Sequence, residues 1–378
     1  KEIQYSTILG HLEQASTDPK KHSLGISMAS PHNLFLLGIF YLGNQIYRFG
    51  FKKKIYSYLV LFGVFFVLVF VFNFITAMLI IIHYMVVWLF NDLVFLIIKK
   101  LRKKDFKFYI AGYATILFTT IYIVLGVYNV YHVNVTEYTV TSDKLNNNYK
   151  IALIADSHLG MTFDADGFDK YLQEILKAKP DMLLIAGDFV DDGTSKKDMI
   201  EVSSSLGKLE LPYGVYFVHG NHDKGYYGEK RGFSITDLDE ELVKNDVKVL
   251  KDENILVNDE IYIIGRKDYE NRNRTSINDL VKDLDDNKFK IVMDHQPVDY
   301  NNEAKNETDL VLSGHTHGGQ LFPITYLNTT LSDNDLVYGY EKRKNTNFIV
   351  TSGIFDWEIK MKTGCKSEYV IINVLKDN

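Results

Sequence analysis

A nearly unbroken apolar run over residues 56–98 constrains the fold of this chain more than any other feature of its sequence. A helix needs about 20 apolar residues to cross the hydrocarbon core of a bilayer, so the run is long enough for two crossings. We place transmembrane helices at 57–74 and 76–98, with Asn73 near the turn between them. A further apolar stretch predicts another transmembrane helix at 107–130.

The stretch 33–50 is shorter and includes polar residues, so it could form a tilted span, a re-entrant segment or an interfacial helix. Residues 1–131 are therefore predicted to form a membrane region of about three or four helices. The chain begins with Lys1 rather than Met, and we expect that a segment ahead of it has been removed.

Basic residues predict the orientation of this region. Two clusters, at 52–54 and 99–104, flank the double apolar run, and short basic loops stay on the cytoplasmic side of a membrane. The helix at 107–130 then carries the rest of the chain to the opposite side. We therefore predict a multi-pass protein of the cell membrane whose C-terminal domain faces the extracytoplasmic side.

Charge is divided unevenly between the two parts of the chain. The first 130 residues contain 13 of the 42 basic and 5 of the 48 acidic residues, which gives net charges of about +8 there and −14 in the remainder. A soluble domain that binds nucleic acid without sequence preference should carry a positive field. We therefore expect no nucleic acid among the partners of this protein.

Residues 149–378 are predicted to form an α/β domain, preceded by a linker or first strand over 132–148. Short apolar runs alternate here with amphipathic stretches, which is typical of α/β folds. The predicted strands are 150–155, 182–186, 214–218, 247–250, 261–264, 290–293, 310–312, 347–350 and 368–374. The predicted helices are 168–178, 196–209, 235–245 and 276–286.

Side chains that can bind metal ions follow the predicted strands. Sites in open α/β sheets form at the carboxyl ends of strands, so we expect these side chains to converge. Carboxylate, imidazole and amide ligands without thiolate suit Mn, Fe or Zn, and so many ligands are too numerous for one ion. Two divalent metal ions that share a carboxylate are the simplest interpretation. The candidates are Asp156, His158, Asp188, Asn221, His295, His315 and His317.

The motifs Asp156-x-His158, Gly187-Asp188, Gly220-Asn221-His222-Asp223, His295 and Gly314-His315-x-His317 resemble, in order and spacing, those of the calcineurin-like metallophosphoesterases. The run 313–320 with Pro323, together with Ser352-Gly353, is similar to the membrane-anchored bacterial branch of that family. The resemblance implies a four-layer α/β/β/α metallophosphoesterase domain that follows the multi-span helical region.

The same resemblance implies a role for each ligand. Asp156, His158 and His317 would hold the first metal, while Asn221, His295 and His315 would hold the second. Asp188 would bridge the two metals. A hydroxide between the metals would then attack the phosphorus atom, as in other two-metal hydrolases.

His222 and Asp223 are the predicted catalytic pair. By the resemblance, His222 would donate a proton to the leaving group or stabilise its charge, and Asp223 would orient the imidazole. Asp191 and Asp192 are expected to solvate a loop. Five further residues lie in stretches that could reach the substrate, although loop structure is the favoured explanation for each: Tyr226, Tyr227, Arg266, Asp268 and Arg272.

These features favour a membrane-anchored phosphoesterase that acts on phosphomonoesters or phosphodiesters. Its partners would be membrane lipids and a phosphate-ester substrate, which could be linked to a lipid or to the cell envelope. A second enzymatic interpretation is a lipid or cell-envelope pyrophosphatase, or a phospholipid phosphodiesterase. A metal-dependent membrane sensor or scaffold is the alternative that involves no catalysis.

Overall fold

The computed structural model describes residues 31–103, 109–226 and 228–377. Within this part of the chain, two compact units are divided after Val124. The first unit is helical, and three of the described helices are long and apolar enough to cross a membrane: Lys54–Val71, Phe74–Arg102 and Ile110–Tyr131. The helices are α1 (Pro31–Tyr47), α2 (Lys54–Val71), α3 (Phe74–Arg102) and α4 (Ile110–Tyr131), the last of which continues into the second unit.

Local sequence explains where these helices begin and end. The side chain of Asn73 accepts a hydrogen bond from the backbone N–H of Thr76 and caps α3, because the first N–H groups of a helix lack partners within it. Basic residues in the last turn of α3 complement the negative end of its dipole. A polar cluster joins α1 to α3, since Asp92 accepts from Tyr41 at 3.0 Å and from Gln45 at 2.9 Å.

The second unit contains two six-stranded sheets. The strands of this unit are β1 (Asn134–Ser142), β2 (Tyr149–Ile154), β3 (Met182–Ala186), β4 (Val215–Val218), β5 (Val247–Val249), β6 (Glu253–Val257), β7 (Ile261–Gly265), β8 (Phe289–Met293), β9 (Leu310–Ser313), β10 (Gly339–Arg343), β11 (Thr346–Val350) and β12 (Glu368–Lys376). The first sheet has the order β1-β12-β2-β3-β4-β5, and the second sheet has the order β10-β11-β9-β8-β7-β6.

The centre of each sheet is parallel. In the first sheet β2, β3, β4 and β5 run parallel, whereas β12 is antiparallel to β2. In the second sheet β7, β8, β9 and β11 run parallel, and β6 and β10 are antiparallel edges. Central strands such as β3 are buried at every position, which explains their continuous apolar sequences.

Helices cover the outer face of each sheet. One apolar cluster joins the first sheet to α5, α6 and α7, a second lies between the two sheets, and a third joins the second sheet to α8 and α9. The predicted four-layer α/β/β/α class is confirmed. The helices of this unit are α5 (Ala165–Lys177), α6 (Lys196–Gly207), α7 (Ile235–Lys244), α8 (Ile277–Val281), α9 (Tyr300–Lys305) and α10 (Ile324–Leu331).

The last turns of α4 belong to the second unit because they pair with its C-terminal part. The backbone N–H of Lys362 donates to the carbonyl of Gly126 at 2.8 Å, and that of Ser367 donates to the carbonyl of Asn129 at 3.0 Å. The side chain of Asn129 also donates to the carbonyl of Lys362. This segment leads directly into β1, which pairs with β12.

Candidate metal centre

The seven predicted metal ligands lie at the carboxyl ends of strands from both sheets. Asp156 and His158 follow β2, Asp188 follows β3, and Asn221 follows β4. In the second sheet His295 follows β8, and His315 and His317 follow β9. A direct bond connects the two edges, since the backbone N–H of His315 donates to Oδ1 of Asp156 at 2.9 Å. We call these seven side chains together the candidate centre.

The backbone at these strand ends is strained. Asp156, His158, Asp188, His315 and His317 have φ angles of 53°, 36°, 50°, 71° and 46°, in the left-handed region that side chains disfavour. Such conformations cost about 1–3 kcal/mol each and persist only where surrounding structure holds them. The concentration of strain at five of the seven predicted ligands marks this edge as a functional site.

Close packing leaves no room for a side chain at Gly220. A Cβ atom there would lie 2.1 Å from Oδ1 of Asp188 and 2.5 Å from the backbone nitrogen of Asp188. Gly220 therefore lets the loop after β4 approach the residue that ends β3. The glycine of the Gly-Asn-His-Asp motif is thus required by the geometry of Asp188.

Asp156, His158 and His317 form the first group of the candidate centre. Their ligand-type atoms all lie within 4.8 Å of one another. Nε2 of His158 is 3.2 Å from Nε2 of His317, and their rings are stacked with centroids 5.1 Å apart. Nδ1 of His158 faces Oδ2 of Asp191 at 2.8 Å, so the proton resides on Nδ1 and Nε2 presents its lone pair.

Asp188, His295 and His315 form the second group, with Asn221 beside it. Oδ2 of Asp188 is 3.1 Å from Nε2 of His295, and Nδ1 of His315 is 3.0 Å from Oδ1 of Asn221. Nδ1 of His295 is 2.8 Å from the carbonyl of Ala186 and can donate to it. Burial and the charge of His295 lower the pKa of His315 to about 3, so this imidazole is neutral and able to bind a metal.

Asp188 lies between the two groups. Its Oδ2 atom is also 3.7 Å from Nε2 of His158, so one carboxylate faces an imidazole from each group. Burial alone would raise the pKa of Asp188, but the neighbouring imidazoles of His295 and His222 lower it well below its usual value. The carboxylate is therefore ionised at neutral pH.

The donor set suits divalent cations. Nε2 of His295 is buried and has no hydrogen-bond partner within the described part of the chain, although it faces the Asp188 carboxylate. The Nε2 atoms of His158 and His317 also lie 3.2 Å apart, so both imidazoles can face one cation. Imidazole and carboxylate ligands that converge in this way fit transition-metal ions.

Asp191, rather than Asp223, lies beside the imidazole of His222. Oδ2 of Asp191 is 3.2 Å from Nδ1 of His222. Burial lowers the pKa of His222, but Asp188 and Asp191 outweigh burial and raise it to about 9. We expected Asp191 to solvate a loop; instead its carboxylate contacts His158 and His222.

The carboxylate of Asp223 holds backbone amides. It accepts from the N–H groups of Asp188 at 2.9 Å, Phe189 at 2.9 Å, Val190 at 3.0 Å and Gly220 at 2.7 Å. The prediction that Asp223 orients His222 is therefore wrong, because these four bonds turn its carboxylate towards the loop after β3. Asp223 fixes the loop that carries Asp188.

The family model described as calcineurin-like phosphoesterase matches residues 149–319. An Aquifex aeolicus metallophosphoesterase is 31% identical over 214 residues, which cover 54% of this chain and 78% of that protein. The chain belongs to the calcineurin-like phosphoesterase family. The resemblance that the motifs indicated is thus confirmed, and the matched range includes all seven predicted ligands.

Two other similar proteins are matched over a smaller share of their own length. A Campylobacter jejuni metallophosphoesterase is 32% identical over 236 residues, which cover 61% of this chain and 60% of that protein. A Bos taurus protein named a transmembrane protein with metallophosphoesterase domain is 27% identical over 240 residues, 59% of this chain and 52% of that protein. The chain therefore spans about 60% of the length of the Campylobacter protein.

Arg266 is not available to a substrate. The residue is 2% exposed, and its guanidinium lies 3.0 Å from Asp294, 2.8 Å from Asp299 and 2.9 Å from Glu303. The prediction that Arg266 contacts the substrate is wrong, because the side chain is turned into the protein towards three carboxylates. It ties β7 to β8 and α9.

The other predicted substrate contacts have different positions. The hydroxyl of Tyr226 accepts a hydrogen bond from Nδ2 of Asn221 at 2.8 Å, so this tyrosine borders the candidate centre. Asp268 is buried and accepts from Gln296 at 2.9 Å, while Arg272 is exposed. Tyr227 lies outside the described residues.

Asp356 is a buried neighbour of His317 that we did not predict. Its Oδ1 atom is 3.5 Å from Nδ1 of His317 and accepts from Nε2 of Gln320 at 3.0 Å. Lys362, which is also buried, lies 3.4 Å from Oδ2 of Asp356. The sequence feature that could have identified Asp356 is its position three residues after the Ser352-Gly353 motif.

Proposed function

We propose that this chain is a membrane-anchored phosphoesterase with a dinuclear metal centre, which hydrolyses phosphomonoester or phosphodiester bonds. The position of Asp188 carries the proposal, because its Oδ2 atom faces both Nε2 of His295 at 3.1 Å and Nε2 of His158 at 3.7 Å. A carboxylate shared between otherwise separate sets of ligands suits two cations held close together.

Each group of side chains would hold one cation. Asp156, His158 and His317 would form one site; His295, His315 and Asn221 would form the other, with Asp188 common to both. Mn, Fe or Zn suits these ligands. When bound, the two cations would supply Lewis acidity that lowers the pKa of the attacking water and stabilises charge on the phosphoryl oxygens.

His222 is the proposed proton donor to the leaving group. Its backbone N–H donates to Oδ1 of Asp188 at 2.8 Å, so the residue is fixed to the carboxylate that both groups share. With Nδ1 turned towards Asp191, the proton that is transferred is the one on Nε2. Asp191 would hold the imidazole in that orientation, and Asp223 would hold the surrounding loop.

Anchoring in the cell membrane is supported by the three helices that are long and apolar enough to cross it. The bovine relative is named as a transmembrane protein, which is consistent with such an arrangement. We propose a membrane region over 1–131, a connecting segment over 132–148 and a catalytic domain over 149–378. The basic clusters at 52–54 and 99–104 favour an extracytoplasmic catalytic domain.

The proposed substrate is a phosphate ester, with lipid-linked or envelope-linked phosphates favoured. A domain joined to membrane helices works beside the bilayer surface, where such phosphates are concentrated. The acidic character of the chain beyond residue 130, with a net charge of about −14, disfavours the phosphate backbone of nucleic acids.

The experiment uses the full chain purified in detergent and supplied with Mn²⁺ or Zn²⁺. Hydrolysis of p-nitrophenyl phosphate and bis-p-nitrophenyl phosphate is compared between the wild type, Asp188→Asn and Asp283→Asn. Asp283 is an exposed carboxylate outside the candidate centre and serves as the matched control. We expect metal-dependent hydrolysis in the wild type and in the control variant, and loss of it in Asp188→Asn.

Two outcomes would contradict the proposal. Equal hydrolysis by the wild type and Asp188→Asn would place the activity elsewhere. Metal binding without hydrolysis of any mono- or diester would favour a metal-dependent sensor instead. Protease treatment of intact cells tests the predicted orientation separately, because an extracytoplasmic domain is cleaved and a cytoplasmic one is protected.

A further inference from the structure

A short segment after the last predicted ligand exposes a group of large apolar side chains. Phe322, Ile324, Tyr326 and Leu327 are each between 42% and 73% exposed. They lie at the start of α10 and in the turn that precedes it. Single exposed apolar residues are ordinary in proteins, but four of them within six residues form a surface that water covers poorly.

This segment, residues 322–327, is attached to the candidate centre at its base. The backbone N–H of Gln320 donates to the carbonyl of His317 at 3.1 Å. The side chain of Gln320 donates to Asp356, the carboxylate beside His317. The apolar surface therefore begins within a few residues of the candidate centre and cannot move far from it.

The same segment is attached to the end of α4. The backbone N–H of Phe322 donates to Oγ1 of Thr363 at 3.1 Å, and the backbone N–H of Thr363 donates to the carbonyl of Gln320 at 2.9 Å. The adjacent residue, Lys362, is bonded to the carbonyl of Gly126 in the penultimate turn of α4. Lys362 and Thr363 thus lie between the apolar segment and this helix.

The length of α4 indicates where Lys362 and Thr363 would lie relative to a membrane. Its 22 residues would extend about 33 Å at 1.5 Å per residue, close to the roughly 30 Å of a hydrocarbon core. The final turns would therefore lie at the membrane–water interface. Tyr128 and Tyr131 are exposed in those turns, where aromatic residues are typically enriched.

Charge does not oppose contact between this segment and lipid. The sequence from Gly318 to Ser332 contains no charged residue. Transfer of Phe, Ile, Tyr and Leu side chains into the interfacial region is favourable, and no acidic side chain in this stretch would be repelled by anionic lipids. The segment combines uncharged sequence, exposed apolar side chains and attachment to the end of a helix with the length of a membrane span.

We infer that residues 322–327 form a membrane-contact surface of the catalytic domain, which inserts into the interfacial region of the lipid bilayer. This inference rests on the membrane anchoring under Proposed function. It places the edge of the candidate centre against the headgroup layer. The centre would then reach phosphates carried on lipids at the bilayer surface without their extraction into water.

The test is a depth measurement with nitroxide labels on the full chain in phosphatidylethanolamine and phosphatidylglycerol vesicles. Tyr326→Cys reports on the segment, and Val243→Cys, an exposed apolar position on α7, is the matched control. Phe118→Cys reports on α4 itself. The native Cys365, the single cysteine of the chain, provides the background label to be subtracted.

We expect the label at 326 to be several-fold more accessible to oxygen than to a water-soluble nickel complex, relative to the label at 243. Equal accessibility at 326 and 243 would overturn the inference. So would protection of 326 from both reagents, since that result indicates a protein partner rather than lipid. If the label at 326 is in water while the label at 118 is in the membrane, only the inference of a membrane-contact surface is contradicted. If the label at 118 is also in water, the proposed membrane anchoring is contradicted as well.

Discussion

The carboxylate of Asp191 lies 2.8 Å from Nδ1 of His158 and thereby determines which nitrogen of that imidazole faces the candidate centre. The same carboxylate oxygen is 3.2 Å from Nδ1 of His222. One buried side chain thus orients a proposed metal ligand and the proposed proton donor. An isolated bridge between Leu159 and Val190 brings the two loops together at this point.

Replacement of Asp191 by Asn should lower both metal affinity and turnover. Partners of metal-bound histidines typically contribute about 10–100-fold to affinity or activity, and Asp191 contacts two functional histidines. Manganese titration and kcat measurement on Asp191→Asn check this expectation, with Asp283→Asn as the surface control. Wild-type values for both quantities in Asp191→Asn would show that its contacts have no functional role.

His222→Ala and Asp223→Ala should fail in different ways. Loss of the proton donor should lower kcat by about 10²–10⁴-fold and leave the metal content unchanged. Loss of the Asp223 carboxylate leaves four backbone amides without their acceptor, so both the metal content and the melting temperature should fall. Elemental analysis and thermal unfolding separate the two effects. Full metal content and an unchanged melting temperature in Asp223→Ala would contradict the loop-holding role.

Patterns of apolar residues were sufficient to predict most of the second unit, and particular exceptions show the limits. β3 is a continuous apolar run, and β2, β8 and β9 each contain a single polar residue, because both faces of these strands are buried. The edge strand β6 is largely exposed and β10 consists of the sequence GYEKR, so neither produces an apolar run that predicts a strand. We also did not predict α10, whose apolar residues face outwards.

The candidate centre was predictable as a set of residues, but the partners of each residue were not. Ligand types at strand ends indicate convergence whatever the details of the loops. Whether Asp191 or Asp223 contacts His222 depends on backbone dihedral angles, such as the positive φ of Asp188, that no spacing in the sequence specifies. Likewise, an arginine that follows a strand can bind a phosphate group or pair with carboxylates inside the protein. Arg266 pairs with three carboxylates.

Arg266→Met should destabilise the domain without a specific effect on substrate binding. Removal of the cation leaves the buried carboxylate of Glu303 without its partner, whereas Asp294 keeps Arg274, and breaking a buried pair typically costs about 3–5 kcal/mol. Arg343→Met is the control, because Arg343 pairs with Asp335 and Glu341 nearer the surface and should cost about 1 kcal/mol or less. Denaturant unfolding measures both variants. Unchanged unfolding of Arg266→Met combined with a raised KM would show instead that Arg266 binds the substrate.

Gly220→Ala should abolish hydrolysis by displacing Asp188. The added Cβ would lie 2.1 Å from Oδ1 of Asp188, a distance that forces the carboxylate or the loop to move. Gly63→Ala is the matched control, because a Cβ at that position in α2 would have no described atom within 4 Å apart from its own stretch of helix. Metal content and hydrolysis are measured for both variants. Retained activity in Gly220→Ala would indicate that the position of Asp188 is not critical.

The most direct measurement of the dinuclear proposal is the electron paramagnetic resonance spectrum of the full chain loaded with Mn²⁺, together with the number of ions bound. A carboxylate shared by two neighbouring ions should give two Mn²⁺ per chain and an exchange-coupled spectrum. In Asp188→Asn that coupling should disappear, while Asp283→Asn should retain it. One ion per wild-type chain, or a coupled spectrum that survives in Asp188→Asn, would contradict a two-metal centre bridged by Asp188.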